Sequence, residues 1–151
     1  MIDYRKRSVK IRLKREFQKL TEWLEGQGFS LKLYTDAPDE VRWHPKKEVH
    51  IDTRKGIEKR LHVLLHECGH ILVCNNSFDR SIMLSSTTDG RCTRGRAHAI
   101  ARLGEEYEAW KRGERLANRL NIRINAEKFD KFKTQCLMSY VNWASEEETG
   151  D

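Results

Sequence analysis

Leu64-Leu65-His66-Glu67-Cys68-Gly69-His70-Ile71-Leu72 is an apolar run interrupted by His-Glu-x-x-His. Residues four apart on a helix share a face. His66 and His70 therefore point the same way, with imidazoles placed to share one metal ion. Glu67 sits one step round, beside such an ion and not on it, where a general base for an activated water belongs. The plain alternative is a buried helix with two incidental histidines. Two features weigh against it. The apolar flanks put the histidines in a dry, rigid wall, and Gly69 removes a side chain beside the second one, which opens that spot to close approach by another element.

The spacing predicts a helix over about 54–74, capped by Asp52 or Thr53. Ile57, Leu61, Leu64, Leu65, Cys68, Ile71 and Leu72 cover one broad face, and His66 and His70 fall on the opposite one. One side packs in a core and the other lines a site. Upstream, Val9, Leu13, Phe17, Leu20 and Leu24 step by three or four, an amphipathic helix over about 6–25 that Gly26 and Gly28 end. Phe29, Leu31 and Leu33 alternate with polar neighbours as a strand, Val41 and Trp43 make a short second strand stopped by Pro45, and Val49 and Ile51 a third.

Downstream, residues 75–96 hold no clear period and read as a long loop, with Ser81-Ile82-Met83-Leu84 as a short strand inside it. Such a loop fits a substrate lid or cleft edge, or a plain connection. A second long helix, about 97–120, has Ile100, Leu103, Tyr107, Trp110, Ala117 and Leu120 on its apolar side. Asn125 caps a last helix to about 145, whose stripe of Phe129, Phe132, Cys136, Tyr140 and Trp143 reads as core packing. The tail, 146–151, should fray. The expected class is α+β, with a small, mostly antiparallel sheet packed on the motif helix and further helices around it.

The chain has 151 residues, 34% charged and 38% hydrophobic, which fits one domain over 1–151. No apolar run approaches transmembrane length. The basic start, Met1-Ile2-Asp3-Tyr4-Arg5-Lys6-Arg7, leads into no apolar segment, so no signal peptide is expected. Cys68, Cys74, Cys92 and Cys136 form no Cys-x-x-Cys pair, which favours a reducing, cytoplasmic setting. The net charge of +6 comes partly from a cluster at Arg5, Lys6, Arg7, Lys10, Arg12, Lys14 and Arg15, and partly from Arg91, Arg94 and Arg96. Solvated faces explain these clusters most simply, since no aromatic stacking platform or nucleic-acid motif accompanies them.

Two histidines do not complete a catalytic zinc site, which uses three protein ligands and keeps a position open. A metzincin continuation would need Gly and His three and six residues after His70, where the chain has Val73 and Asn76. The next helix offers Glu105, Glu106 and Glu108. At ~100° per residue Glu106 falls inside the apolar arc near Trp110, Glu105 lies at its border and Glu108 projects away. A carboxylate aimed into a core needs a cation, so Glu106 is the expected third ligand. The alternative for Glu106 is a buried ion pair with an arginine; for Glu105 and Glu108 it is a solvated face.

His66-Glu67-Cys68-Gly69-His70, followed by Glu106-Tyr107-Glu108-Ala109 on a later helix, resembles a gluzincin-type zinc metallopeptidase. A membrane-embedded branch of that group carries Glu-x-x-Ala-Asp but has spans that this chain lacks. The small soluble ImmA/IrrE-like peptidases carry Glu-x-x-Ala-Asn and fit better in size. The resemblance implies a zincin-like fold, one catalytic Zn2+ on His66, His70 and Glu106, Glu67 as base, and a protein or peptide substrate. It covers the two motif helices well, the strands loosely and the last helix not at all. Where the family has Asp or Asn bracing a zinc-bound histidine, this chain has Trp110, which cannot accept that hydrogen bond.

The expected reaction is peptide hydrolysis, with Glu67 moving the proton and His98, Tyr107 or Tyr140 as candidate donors to the oxyanion. An edge of the 29–51 sheet is placed to hold an extended peptide by strand addition. The rival is a non-catalytic zinc-containing binding protein whose basic clusters hold nucleic acid or an acidic partner. A mixed reading, a peptidase acting on DNA-bound proteins, joins the two.

Overall fold

A computed structural model describes residue 1 and residues 3–75 and 96–146. Helix α1 spans Tyr4–Gly26. Asp3 starts it earlier than the apolar spacing predicts, its Oδ1 accepting the N–H groups of Arg5 (3.1 Å) and Lys6 (3.4 Å). Leu13, Leu20 and Leu24 are buried, but Val9 is exposed, so only the later part of the helix packs on the core. At its end Gly28 takes φ 87°, a left-handed turn that glycine adopts without strain, and the chain enters the sheet.

Strands β1 (Ser30–Tyr34), β2 (Glu40–Arg42) and β3 (Glu48–Asp52) lie in the order β1-β3-β2. β1 runs parallel to β3, with Leu31 opposite Val49 and Leu33 opposite Ile51, and β2 runs antiparallel to β3, with Val41 opposite Val49. The class is α+β, but the sheet is mixed and not mostly antiparallel. β3 carries the residues Val49, His50, Ile51 and Asp52, all buried, and takes the centre, which forces β1 and β2 to opposite edges. Alternation assigns faces to a strand; it does not choose its neighbours.

Helix α2 spans Ile57–Asn75. It begins later than the sequence suggests because Asp52 caps no helix. Its carboxylate accepts the Arg54 N–H (2.9 Å) and the Arg54 guanidinium (2.7 Å), closing a local turn instead. Every residue from Leu61 to Gly69 is buried, so α2 has no solvent face along its middle. α1, β2, β3 and the following helix all pack on it.

Helices α3 (Arg96–Arg119) and α4 (Ala126–Glu146) complete the described chain. As expected, Asn125 caps α4, its Oδ1 accepting the Lys128 N–H at 3.1 Å. α3 packs on α2 antiparallel at backbone contact. A Cβ added to Gly69 would lie 1.8 Å from the Ala109 carbonyl oxygen, and one on Gly113 would lie 2.4 Å from that of Leu65. This contact rotates the buried face of α3 from the one its apolar residues predict. Ala99, Glu105, Glu106, Ala109, Trp110, Leu116 and Ala117 are buried, whereas Ile100 and Tyr107 are exposed. The expected strand at 81–84, the proposed lid, Arg91, Arg94 and Cys92, and the tail beyond 146 lie outside the described residues. Among the described residues no helix is long and apolar enough to cross a membrane.

Candidate metal centre

The Gly69–Ala109 contact sets the distance between the motif helix and the glutamates of α3. His66 and His70 project from α2 one turn apart, and Glu106 meets them from α3, one turn before Trp110. His66 Nε2 lies 2.9 Å from Glu106 Oε2, His70 Nε2 lies 3.3 Å from Glu106 Oε1, and the two Nε2 atoms are 3.2 Å apart. Zinc bonds of about 2.0–2.1 Å at tetrahedral angles place neighbouring ligand atoms roughly 3.3 Å apart. Two imidazole nitrogens and a carboxylate oxygen at such mutual distances suit a divalent cation, and this trio is a cluster able to hold one.

The charges around the trio follow from burial and contact. Burial disfavours a charged His70, but Glu105 and Glu106 outweigh it and raise His70 well above its ordinary value. Burial alone would raise the Glu106 carboxyl; its bonds to His66 and His70 reverse that and hold it well below the usual carboxylate range. His66 is lowered, because burial wins over Glu106 there. Without metal these contacts favour a protonated His70 against an ionised Glu106. A metal ligand must be a neutral imidazole, so zinc uptake at pH 7 is expected to release about one proton from His70. Apparent affinity should then rise up to about tenfold per pH unit above neutrality. Calorimetric titrations in buffers of different ionisation enthalpy read the proton directly; uptake without release would show that His70 is already neutral.

Glu67 is buried beside the trio, and burial pushes its carboxyl up to about 7, with the neighbouring charge of His70 opposing. A group titrating near neutrality is suited to take and return a proton.

Three neighbours were not assigned roles by the sequence. Glu105, expected on a solvated face, is only 3% exposed. Its Oε1 lies 3.5 Å from His70 Nδ1, and its Oε2 pairs with Arg102 Nη1 at 3.4 Å. A carboxylate behind the far nitrogen of a ligating histidine orients the ring and raises its basicity. Arg102 also approaches Glu106 at 3.7 Å, so Glu106 meets both the histidines and an arginine. The signal for Arg102 was its spacing of three and four residues from the two glutamates.

The third neighbour is Trp110. Its ring stacks on that of His66, centroids 4.2 Å apart and planes 20° off parallel. His66 Nδ1 is buried with no hydrogen-bond partner among the described residues. On the Nδ1 side, stacking on Trp110 and not a hydrogen bond therefore fixes the His66 ring. Phe129 and Phe132 hold the indole edge-on at 5.5 and 5.7 Å.

The centre opens into a cleft of about 310 Å³ lined by Asp39, Glu40, Val41 and Trp43 on one side and by Arg102 and Tyr140 on the other. Of the three candidate donors only Tyr140 reaches this cleft. Burial, reinforced by Glu106, pushes its hydroxyl up to about 12, so it keeps its proton to donate. Tyr107 is 52% exposed on the outside of α3, because the buried arc of that helix is turned toward Glu106. His98 lines an adjoining depression with Trp143 that shares Arg102 and Tyr140 with the cleft. No protein-family model, curated protein or solved structure matches the chain.

Proposed function

We propose that this protein is a zinc-dependent peptidase. The reading is carried by one observation: two histidines from a single turn of α2 and Glu106 from α3 converge within bonding range of one cation, with Glu67 buried beside them. Zinc held there would supply Lewis acidity toward a carbonyl and lower the pKa of a water to about 7. Glu67 takes the proton of the attacking water and returns it to the leaving amine. Tyr140 donates its hydroxyl hydrogen to the developing oxyanion. Glu105 and Trp110 hold His70 and His66 in place. β2 is an edge strand paired only with β3 among the described residues, and its residues Glu40 and Val41 line the cleft. An extended substrate chain is placed to add to that edge, leaving its scissile carbonyl over the centre.

Metal analysis of protein purified without a histidine tag tests the proposal. One zinc per chain is expected, and Glu106→Ala should lose it or bind at least tenfold more weakly, as loss of supporting groups alone commonly costs that much. A Glu106→Ala protein with full zinc, alongside a His98→Ala protein without it, would move the third ligand to His98. The rival reading, a nucleic-acid or acidic-partner binder, has one observation in its favour: Tyr4, Arg7, Ile11 and Arg15 line an exposed strip of α1. Steeply salt-dependent DNA binding that Glu67→Gln leaves unchanged would support it.

A further inference from the structure

A second cleft lies between the start of α2 and α4 and shares no lining residue with the first. Its volume is about 520 Å³, within the range of small-molecule sites, and Glu58, Lys59, His62, Lys128, Lys131 and Phe132 are among the residues that line it. Its charge is mainly positive, three lysines against Glu58. Lys128 pairs with Glu58 at 3.4 Å, while neither Lys59 nor Lys131 has a carboxylate partner among the described residues. Lys59 Nζ sits 6.0 Å above the Phe132 ring centroid, which marks one wall as aromatic. His62 is only 2% exposed. Its ring is held edge-on by Phe129 at 5.2 Å, and its Nε2 has no hydrogen-bond partner among the described residues. Buried polar atoms are rarely left so.

We infer that this cleft is a binding site for a small organic oxyanion, a phosphate monoester or carboxylate carried on a flat apolar body. The ammonium groups of Lys59 and Lys131 supply charge, Phe132 supplies a face for the body, and the His62 ring at the floor turns on binding to bring its unpartnered Nε2, closed to solvent in the free protein, to the head group. A bare inorganic anion would use the lysines and leave Phe132 uncovered. Phe132 also touches Trp110, which stacks on His66, so a ligand lying on Phe132 reaches the candidate centre through two ring contacts. The site does not depend on the peptidase reading, because none of its lining residues belongs to the metal cluster.

Phenyl phosphate is the probe, with benzoate and inorganic phosphate as the other arms, titrated into the full chain after chelation and desalting so that no metal can bind the anion. Calorimetry should show one equivalent of phenyl phosphate bound, at least tenfold tighter than inorganic phosphate. In protein labelled with 15N at histidine, the His62 Nε2 resonance should shift with saturation. Benzoate binding comparably would make the head group a general oxyanion; benzoate failing would restrict it to phosphate. The exposed double variant Lys59→Ala/Lys131→Ala should weaken binding at least tenfold, and Lys10→Ala/Lys14→Ala on α1 should leave it unchanged. Absence of saturable binding by both aromatic anions overturns the inference. So does equal weakening by the two lysine pairs, which would mean a diffuse charge effect, or a His62 resonance that stays still at saturation.

Discussion

Glu67→Gln should slow hydrolysis by about 10²–10⁴-fold while leaving zinc stoichiometry intact, and should at the same time stabilise the metal-free protein above neutral pH. Removal of a positioned general base commonly costs that much in rate. The stability effect follows from where the carboxyl sits. Folding buries Glu67 and moves its pKa from 4.5 up to about 7. The folded chain therefore holds this proton more tightly than the unfolded chain. Stability from that preference is fully present below pH 4.5 and is lost as pH rises to about 7. Glutamine has no proton to lose. Wild type and variant should match at the acid end. Above pH 7 the metal-free variant should be more stable by on the order of 3 kcal/mol, from a shift of two to three units at 1.36 kcal/mol each. Bound zinc favours the ionised carboxylate and should narrow the gap. Urea unfolding at pH 5 and pH 8, with and without chelator, measures all four corners. A wild type as stable as the variant at pH 8 without metal would show that folding does not hold the Glu67 carboxyl above its ordinary value, and its suitability as a base near neutrality would fall with it.

Gly69→Ala should destabilise the fold and loosen the metal site together. In an open helix the same change stabilises by roughly 0.5–1 kcal/mol, because alanine restricts the unfolded chain. Gly104, on the exposed side of α3, has no atom within 4 Å of an added Cβ, so Gly104→Ala should show that gain. At Gly69 the added carbon would meet the Ala109 carbonyl oxygen at 1.8 Å and its carbon at 2.6 Å. Backbone cannot rotate away as a side chain can, so α3 must move. Overpacking costs typically about 1–3 kcal/mol and occasionally more, and a backbone obstacle puts this case at the upper end. Displacing α3 also carries Glu106 away from His66 and His70, so zinc affinity should drop in the same variant. Parallel unfolding curves and zinc titrations for Gly69→Ala and Gly104→Ala provide the test. Equal stabilisation of both would show that the two helices do not touch at Gly69.

The sequence by itself determined the motif helix, the pairing of His66 with His70, the place of Glu67 and the choice of Glu106 over Glu108. All of these rest on one period, about 3.6 residues, acting within a single element. It also determined the helix cap at Asn125 and the close approach at Gly69, where one residue's chemistry carries the signal. Tertiary structure alone decided the rest. Glu105 looked solvated because a carboxylate at the edge of an apolar arc is normally so; it is buried because His70 and Arg102 compensate it, and those partners lie on another helix and one turn away. Trp110 looked like a defect in the metal site; only packing shows it stacked on His66 and held by two phenylalanines of α4. The exposure of Ile100 and Tyr107 follows from the small residues Ala109 and Gly113 meeting α2, a contact that no hydrophobicity pattern weights. The strand order β1-β3-β2 is of the same kind. Periodicity describes which way a residue faces on its own element, while the partner across the gap is settled by shape and charge contributed from elsewhere in the chain.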